Sequence, residues 1–419
     1  MTDDPAKLAH HRWSVFSSAW VLILIISSIA MYSVFSEPLT QLRGWSLGSF
    51  NLAYSIYTLI QAVTAIFAGM YMHKHGAKKM MYVGGFTIAA GWFLTSFASS
   101  IPAFYITFGI VAGAGSGILY NPSLVTALKW FPEQSGRISG LLLSSAAIGP
   151  FLFSPVAAKV IELFGVLNAF RIFGVSFLIL AWAVAWKLDS APEGYRPPGF
   201  RPSKSSSQTK PKKININWKV MVSSPLFYLL LVTMIVASTA GTMLVSSVSV
   251  IAQQQIGLTA SLGAIIVSVS TLSNFIGRLS FGVLFEKMGA FGSLVFDLLI
   301  TISALLLIAF ADTLVVFVVC IILLGFSFGG VLVLFPPLTG QLFGLKYLEI
   351  NYAIVFLGYA GGAFVGPRIA AYFSETAGSF VPAYFVAAAL SAIGLILVGL
   401  LSLMARKQLS NQKKLVHQS

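Results

Sequence analysis

The chain of 419 residues is 57% hydrophobic and only 9% charged. A soluble domain carries about 25% charge, so a soluble fold is excluded, and the length leaves room for roughly a dozen apolar helices of ~20 residues. The formal charge of +14 would suit a nucleic-acid binder, but every Lys and Arg except Arg43, Lys159, Arg171, Arg278 and Arg368 falls in the two tails or in loops on the tails' side of the membrane, a positive-inside bias that places both termini in the cytoplasm and leaves no nucleic-acid partner to expect.

In chain order, the N-terminal half (1–186) reads as spans over 13–36, 50–72, 81–98, 103–128, 138–161 and 169–186. The first is too long for a signal-peptide core, so it is read as a retained span. It is expected to end at Glu37-Pro38, where the outer loop LTQLRGWSLGSF begins. Composition then changes abruptly: 187–222 is rich in Pro, Ser and basic residues, cannot form a packed core, and reads as a cytoplasmic linker. Its Lys204, Lys210, Lys212 and Lys213 suit anionic lipid better than nucleic acid. The second half (223–405) repeats the layout with spans over 226–252, 262–285, 291–310, 314–335, 353–373 and 383–404. Pro336-Pro337 is expected to interrupt the tenth span, in a segment that continues to Phe343. A basic cytoplasmic tail (406–419) follows. The fold expected is all-α and integral to the membrane, twelve transmembrane helices in two six-helix halves. Cys320 is the single cysteine, so no disulfide framework exists.

The stretch SNFIGRLSFGVLFEKMG (273–289) holds the sharpest signal. Arg278 lies deep in an apolar run, where an arginine costs several kcal/mol unless it meets water, a partner or a substrate. Its planar fork of donors matches a carboxylate in two parallel bonds. The alternative is a structural arginine paired with Asp297, since Glu286 is two turns away on the same helix. Asp297 itself suits either a proton carrier or, as the preferred reading, a structural group that reaches the interface or pairs with the adjoining loop. After Arg278 come Gly282, Glu286, Lys287 and Gly289, and the same spacing occurs earlier at Gly69, His73, Lys74 and Gly76. The repetition implies two related halves.

Tyr120 and Asn121 precede Pro122, where the backbone ladder loses a donor; their side chains can serve a substrate oxygen or the freed carbonyls. Tyr359, Phe356 and Phe335 offer an apolar wall with one hydroxyl, although packing accounts for single aromatics in so aromatic a chain. The glycine-rich runs (GGFTIAAG, GAGSG, GFSFGG, GYAGGAFVG) follow no strand and lack the P-loop Lys-Ser/Thr pair; they are small-residue faces on which helices approach and slide. No nucleotide-binding, metal-ligand or catalytic-triad pattern is present. Neither an enzyme nor a cofactor is expected.

The segments GMYMHKHGAKK (69–79) and GVLFEKMG (282–289), with the six-plus-six layout, resemble the major facilitator superfamily. The resemblance implies that these loops form a cytoplasmic latch. The chain departs from the family pattern where His73 replaces the acid and where Ala290 and Phe291 stand in place of basic residues, which implies a weakened latch. GAGSGILYNP followed by KWFPEQSGRISG, Asn274 with Arg278, and GFSFGGVLVLFPP resemble more narrowly the oxalate/formate antiporters and monocarboxylate transporters. That likeness implies that Arg278 binds the substrate carboxylate and Tyr120 lines the site. Tyr359 stands where the oxalate antiporter has a second cation, a lysine, and Phe356 keeps an aromatic one turn earlier; one fixed cation suggests a monocarboxylate. Asn274 stands where proton-coupled relatives often place an acid.

The function expected is therefore secondary active transport of small organic anions such as lactate or formate, by alternating access about a midplane site. Proton symport is favoured, so protons join the anion as partners, and membrane lipid is the third. Organic-anion exchange, a drug or sugar facilitator, and a non-transporting receptor are the alternatives. A monomer in the cell (inner) membrane is expected.

Overall fold

The computed structural model describes residues 5–192, Tyr195 and 215–417, and every regular element among them is helical. Much of the expected linker (193, 194 and 196–214, with its four lysines) lies outside the described residues. By contacts the chain forms two compact units: Met1–Ile138 with Ser145–Phe200, and Ser139–Ser144 with Arg201–Ser419.

In the first unit, α1 (Pro5–Ile26) passes through a 3₁₀ turn (Ser27–Met31) into α2 (Tyr32–Arg43). The helix thus runs through Glu37-Pro38, where a loop was expected, and stops only at Gly44, a left-handed cap at φ 68°. The Thr40 hydroxyl helps this turn, donating to the Ser36 carbonyl at 2.7 Å. Next come α3 (Leu47–His75), capped by the Ser46 hydroxyl, and α4 (Ala77–Thr95). α5 (Ile101–Phe104), a π-helical stretch (Tyr105–Ala112) and α6 (Gly113–Trp130) make one continuous span. α7 (Ser135–Phe164) and α8 (Val166–Ala185) follow. Aromatics dominate the core: Tyr32 stacks on Phe50 at 4.1 Å and on Phe108 at 4.7 Å, and Trp92 stands edge-on to Phe108 at 5.4 Å. Tyr32, whose hydroxyl donates to the Phe50 carbonyl, is a packing residue.

The second unit opens on a short helix, α9 (Trp218–Val222), and continues with α10 (Pro225–Ile256), α11 (Ala260–Ile308) and α12 (Leu314–Phe343). α13 (Leu348–Val355), α14 (Leu357–Ala377) and α15 (Val381–His417) complete it. Residues just before α9 are stitched to this unit: Ile216 N–H donates to the Phe343 carbonyl at 2.9 Å, and the Asn351 amide donates to the Ile216 carbonyl at 2.9 Å. α15 carries helix into the polar tail, beyond the expected end at 404.

The paired prolines do not interrupt α12. Pro337 has no N–H for the Val333 carbonyl four residues back, and the Ser139 hydroxyl donates to that carbonyl instead, at 2.9 Å. The helix therefore continues unbroken to Phe343. The eleventh span, by contrast, changes pitch at Phe356, where α13 gives way to α14.

Among the described residues ten helices are long and apolar enough to cross a membrane. One of them, Ile265–Ile308, is two spans joined at Gly289, and α4 opens with Lys78 and Lys79, which place it outside that group. Counting both gives the twelve spans expected. Large apolar side chains lie bare on the outside, Phe151 at 74% and Phe67 at 62% exposure among them, a surface that water would not tolerate but lipid does. The chain is an integral, multi-pass membrane protein.

Gly76 (φ 83°, ψ 165°) and Gly289 (φ 75°, ψ 170°) occupy a backbone region closed to residues with a Cβ. Each turns the chain between consecutive spans with almost no loop. Gly165 repeats the geometry between α7 and α8 (φ 78°, ψ 159°).

Candidate functional site

Arg278 stands on the first half of α11, where that helix lies backbone to backbone on α12. Small residues make the approach possible. A Cβ on Gly325 would lie 2.6 Å from the Ser270 carbonyl oxygen, and one on Gly329 would lie 2.8 Å from Arg278 N and closer still to the Asn274 carbonyl. One on Gly277 would collide with the Phe326 carbonyl. The turn 274–278 is thus held against the main chain of α12, which fixes the root of the arginine.

The side chain is buried, at 8% exposure. Its Nε donates to Asn274 Oδ1 at 2.9 Å, one helical turn earlier, and its Nη1 donates to the Leu143 carbonyl. Leu143 belongs to the Ser139–Ser144 turn that groups with the second unit. Both acceptors are neutral oxygens. They orient the guanidinium fork without cancelling its charge.

Phe356 and Tyr359 stack on each other at 5.2 Å, and Tyr359 stacks on Phe328 at 6.4 Å. Both are half-buried. Phe335 is completely buried. Tyr120 and Asn121 belong to the first unit, buried on α6, which stays helical across Pro122.

Asp297, on the second half of α11, is 0% exposed and so does not reach an interface. Among the described residues it forms no ion pair with Arg278 or with the loop at Gly289. Instead Ser327 on α12 donates to its Oδ1 at 2.9 Å, and Thr301 donates to its backbone carbonyl at 3.0 Å. Ser327 and Thr301 are themselves in hydrogen-bond contact. The second oxygen, Oδ2, accepts no hydrogen bond.

At the two repeated loops, Gly69 and Gly282 are buried, while His73, Lys74, Glu286 and Lys287 are exposed beside Gly76 and Gly289. Position 73 brings no acid to the first loop, but Asp189, beyond α8, does: its carboxylate lies 3.5 Å from Lys78 and 3.7 Å from His11. Sequence reading missed Asp189, as it missed Thr301, Ser327 and Ser139. Only Ser327 had a local signal, its place in GFSFGG. No group of three or more His, Cys, Asp or Glu among the described residues could hold a metal.

The Major Facilitator Superfamily model matches residues 16–348. The oxalate:formate antiporter of Oxalobacter formigenes is 28% identical over 375 residues, covering 88% of this chain and 87% of that protein. Monocarboxylate transporter 12 of Xenopus laevis is 23% identical over 392 residues, covering 87% and 83%. Among solved structures, the Escherichia coli fucose:proton symporter FucP superposes with a TM-score of 0.69 at 17% identity, covering 92% of this chain and 98% of that one; at that identity the likeness is one of fold.

Proposed function

The chain belongs to the Major Facilitator Superfamily and is a transporter, not an enzyme, and from that premise we propose that it carries small monocarboxylates such as lactate or formate by alternating access. The observation that carries this reading is Arg278: a permanent cation, buried within a span, oriented by the neutral oxygens of Asn274 and Leu143. A carboxylate docking on the fork neutralises it and lowers the cost of enclosing both charges. Phe356 and Tyr359 supply the apolar surface and one hydroxyl for a short organic tail. The names of the antiporter and the monocarboxylate transporter support the substrate class, and Tyr359 in place of a second cation favours one carboxylate over two.

Proton symport is our first reading of the coupling. Anion exchange is the second, favoured by Asn274 standing where an acid would take the proton. The Lys/Arg bias supports cytoplasmic termini in the cell membrane, and the chain is proposed to act as a monomer. Gly69–Gly76 and Gly282–Gly289 are proposed as its conformational latch.

Labelled lactate, formate and oxalate are offered to proteoliposomes holding wild type or Arg278→Gln. Saturable uptake of a monocarboxylate that the substitution abolishes is the expected result; equal uptake by the folded variant would make Arg278 structural and refute the assignment. Uptake that requires an anion inside the vesicle identifies exchange.

A further inference from the structure

Asp297 is a carboxyl group shut inside the second unit without a cation to balance it. From α12 the only titratable group is Cys320, from α10 Tyr228 and from the span of α15 Tyr384; α11 itself adds Arg278, Glu286 and Lys287. None forms an ion pair with Asp297. An ionised carboxylate in such a place, with Oδ2 accepting nothing, costs several kcal/mol.

The hydroxyl contacts show how that cost is avoided. Each hydroxyl has one proton to give. With a proton on Oδ1, Asp297 donates to Ser327, Ser327 donates to Thr301, and Thr301 donates to the Asp297 carbonyl, so that only the longer approach of Ser327 to that carbonyl, at 3.3 Å, carries no proton. With the carboxyl ionised, Ser327 must turn its proton to Oδ1, and Thr301 has one proton for two contacts, the Ser327 hydroxyl and the Asp297 carbonyl. One of those two contacts is then left without a proton. Ser327 therefore has two hydroxyl orientations, one for each protonation state.

Asp297 is also adjacent to the anion site. Gly329 and Gly330 are neighbours on α12, and the first abuts Asn274 and Arg278 N. A Cβ on the second would lie 2.8 Å from Asp297 Oδ1 and 2.6 Å from the Phe281 ring. One glycine pair thus separates the arginine's backbone from the carboxyl.

We propose that Asp297, with Ser327 and Thr301, is the proton site of this transporter, one proton being taken up per anion bound at Arg278. Uptake converts the carboxylate and a hydronium ion into the neutral acid and water; release on the opposite side reverses it. The loaded carrier then holds one anion, one proton and one fixed arginine. This proposal rests on the anion reading above, and the experiment separates the two.

Full-length wild type and Asp297→Asn are reconstituted, and labelled formate is followed in counterflow and under an inward proton gradient. A one-unit gradient supports about tenfold accumulation for one proton per anion. Wild type is expected to reach that order, whereas Asp297→Asn exchanges formate but brings it only to equal concentration on both sides. Gradient-driven accumulation by Asp297→Asn, or wild-type counterflow indifferent to the gradient, overturns the proposal. Absence of any wild-type formate movement defeats the substrate reading instead. Infrared difference spectra of the solubilised full chain, acid against alkaline, then test the proton site by itself. A carboxylic-acid carbonyl band missing from Asp297→Asn and shifted in Ser327→Ala is expected, and its absence from wild type overturns the assignment.

Discussion

Replacing Gly329 by alanine tests whether backbone contact between α11 and α12 sets the position of Arg278. The added Cβ would lie 2.8 Å from Arg278 N and nearer to the Asn274 carbonyl, whereas ordinary contact begins at 3.4 Å. Neither obstacle is a flexible tip that can swing away, so the helices must part by on the order of half an ångström or more. Overpacking of this kind costs ~1–3 kcal/mol. Alanine also gains ~1 kcal/mol over glycine in a helix, and this second effect is removed by comparison with Gly399→Ala, whose Cβ meets nothing within 4 Å. Gly329→Ala should therefore be ~1–3 kcal/mol less stable than Gly399→Ala by denaturant titration in detergent, and its formate uptake should fall while Gly399→Ala transports like wild type. Two variants that unfold alike and transport alike would refute the idea that this contact positions the arginine.

Asn274→Ala removes the acceptor of Arg278 Nε; hydrogen bonds to charged groups contribute ~1.5–3 kcal/mol, so the half-saturating formate concentration should rise about tenfold or more in uptake assays. Ser139→Ala leaves the Val333 carbonyl, already deprived of an N–H by Pro337, without its hydroxyl, at ~1–3 kcal/mol. Adding Pro337→Ala restores an N–H four residues on, so the double variant should regain stability in a titration that shows the single variant's loss. Gly289→Ala meets no atom within 4 Å yet must hold φ at 75°, so its unfolding midpoint should drop by the equivalent of ~1–3 kcal/mol from strain alone.

The periodic and compositional signals were legible because they are local. Twenty apolar residues mark a span wherever they occur, and an arginine inside one is conspicuous without any knowledge of its neighbours. The Gly76 and Gly289 turns were marked by their repeated spacing. What escaped the sequence depends on partners far along the chain. Pro336-Pro337 looked like an interruption because the hydroxyl that compensates for it belongs to Ser139, 194 positions before the Val333 carbonyl that it serves. Asp297 looked like an interfacial or latch residue because Ser327, 30 positions later, was not known to face it. Pro38 failed as a stop signal because the helix that restarts at Tyr32 carries it in its interior and ends at the left-handed Gly44.

Arg278 and Asp297, both buried on α11, are accommodated in opposite ways, and the difference bears on what each can do. Arg278 cannot lose its charge at any working pH, and its two orienting acceptors are neutral oxygens that can turn the fork but not discharge it. In the proposed function that discharge is the work of an anion that arrives and leaves. Asp297 has the reverse arrangement: it can become neutral by itself, and its partners are hydroxyls, the side chains that accept or donate by rotating. A permanent charge held by passive acceptors suits a binding group, and a conditional charge held by reversible donors suits a proton site. If Asp297 were replaced by a permanently neutral amide, the arginine would keep its oriented fork, while the coupling of anion to proton would have no group left to carry it.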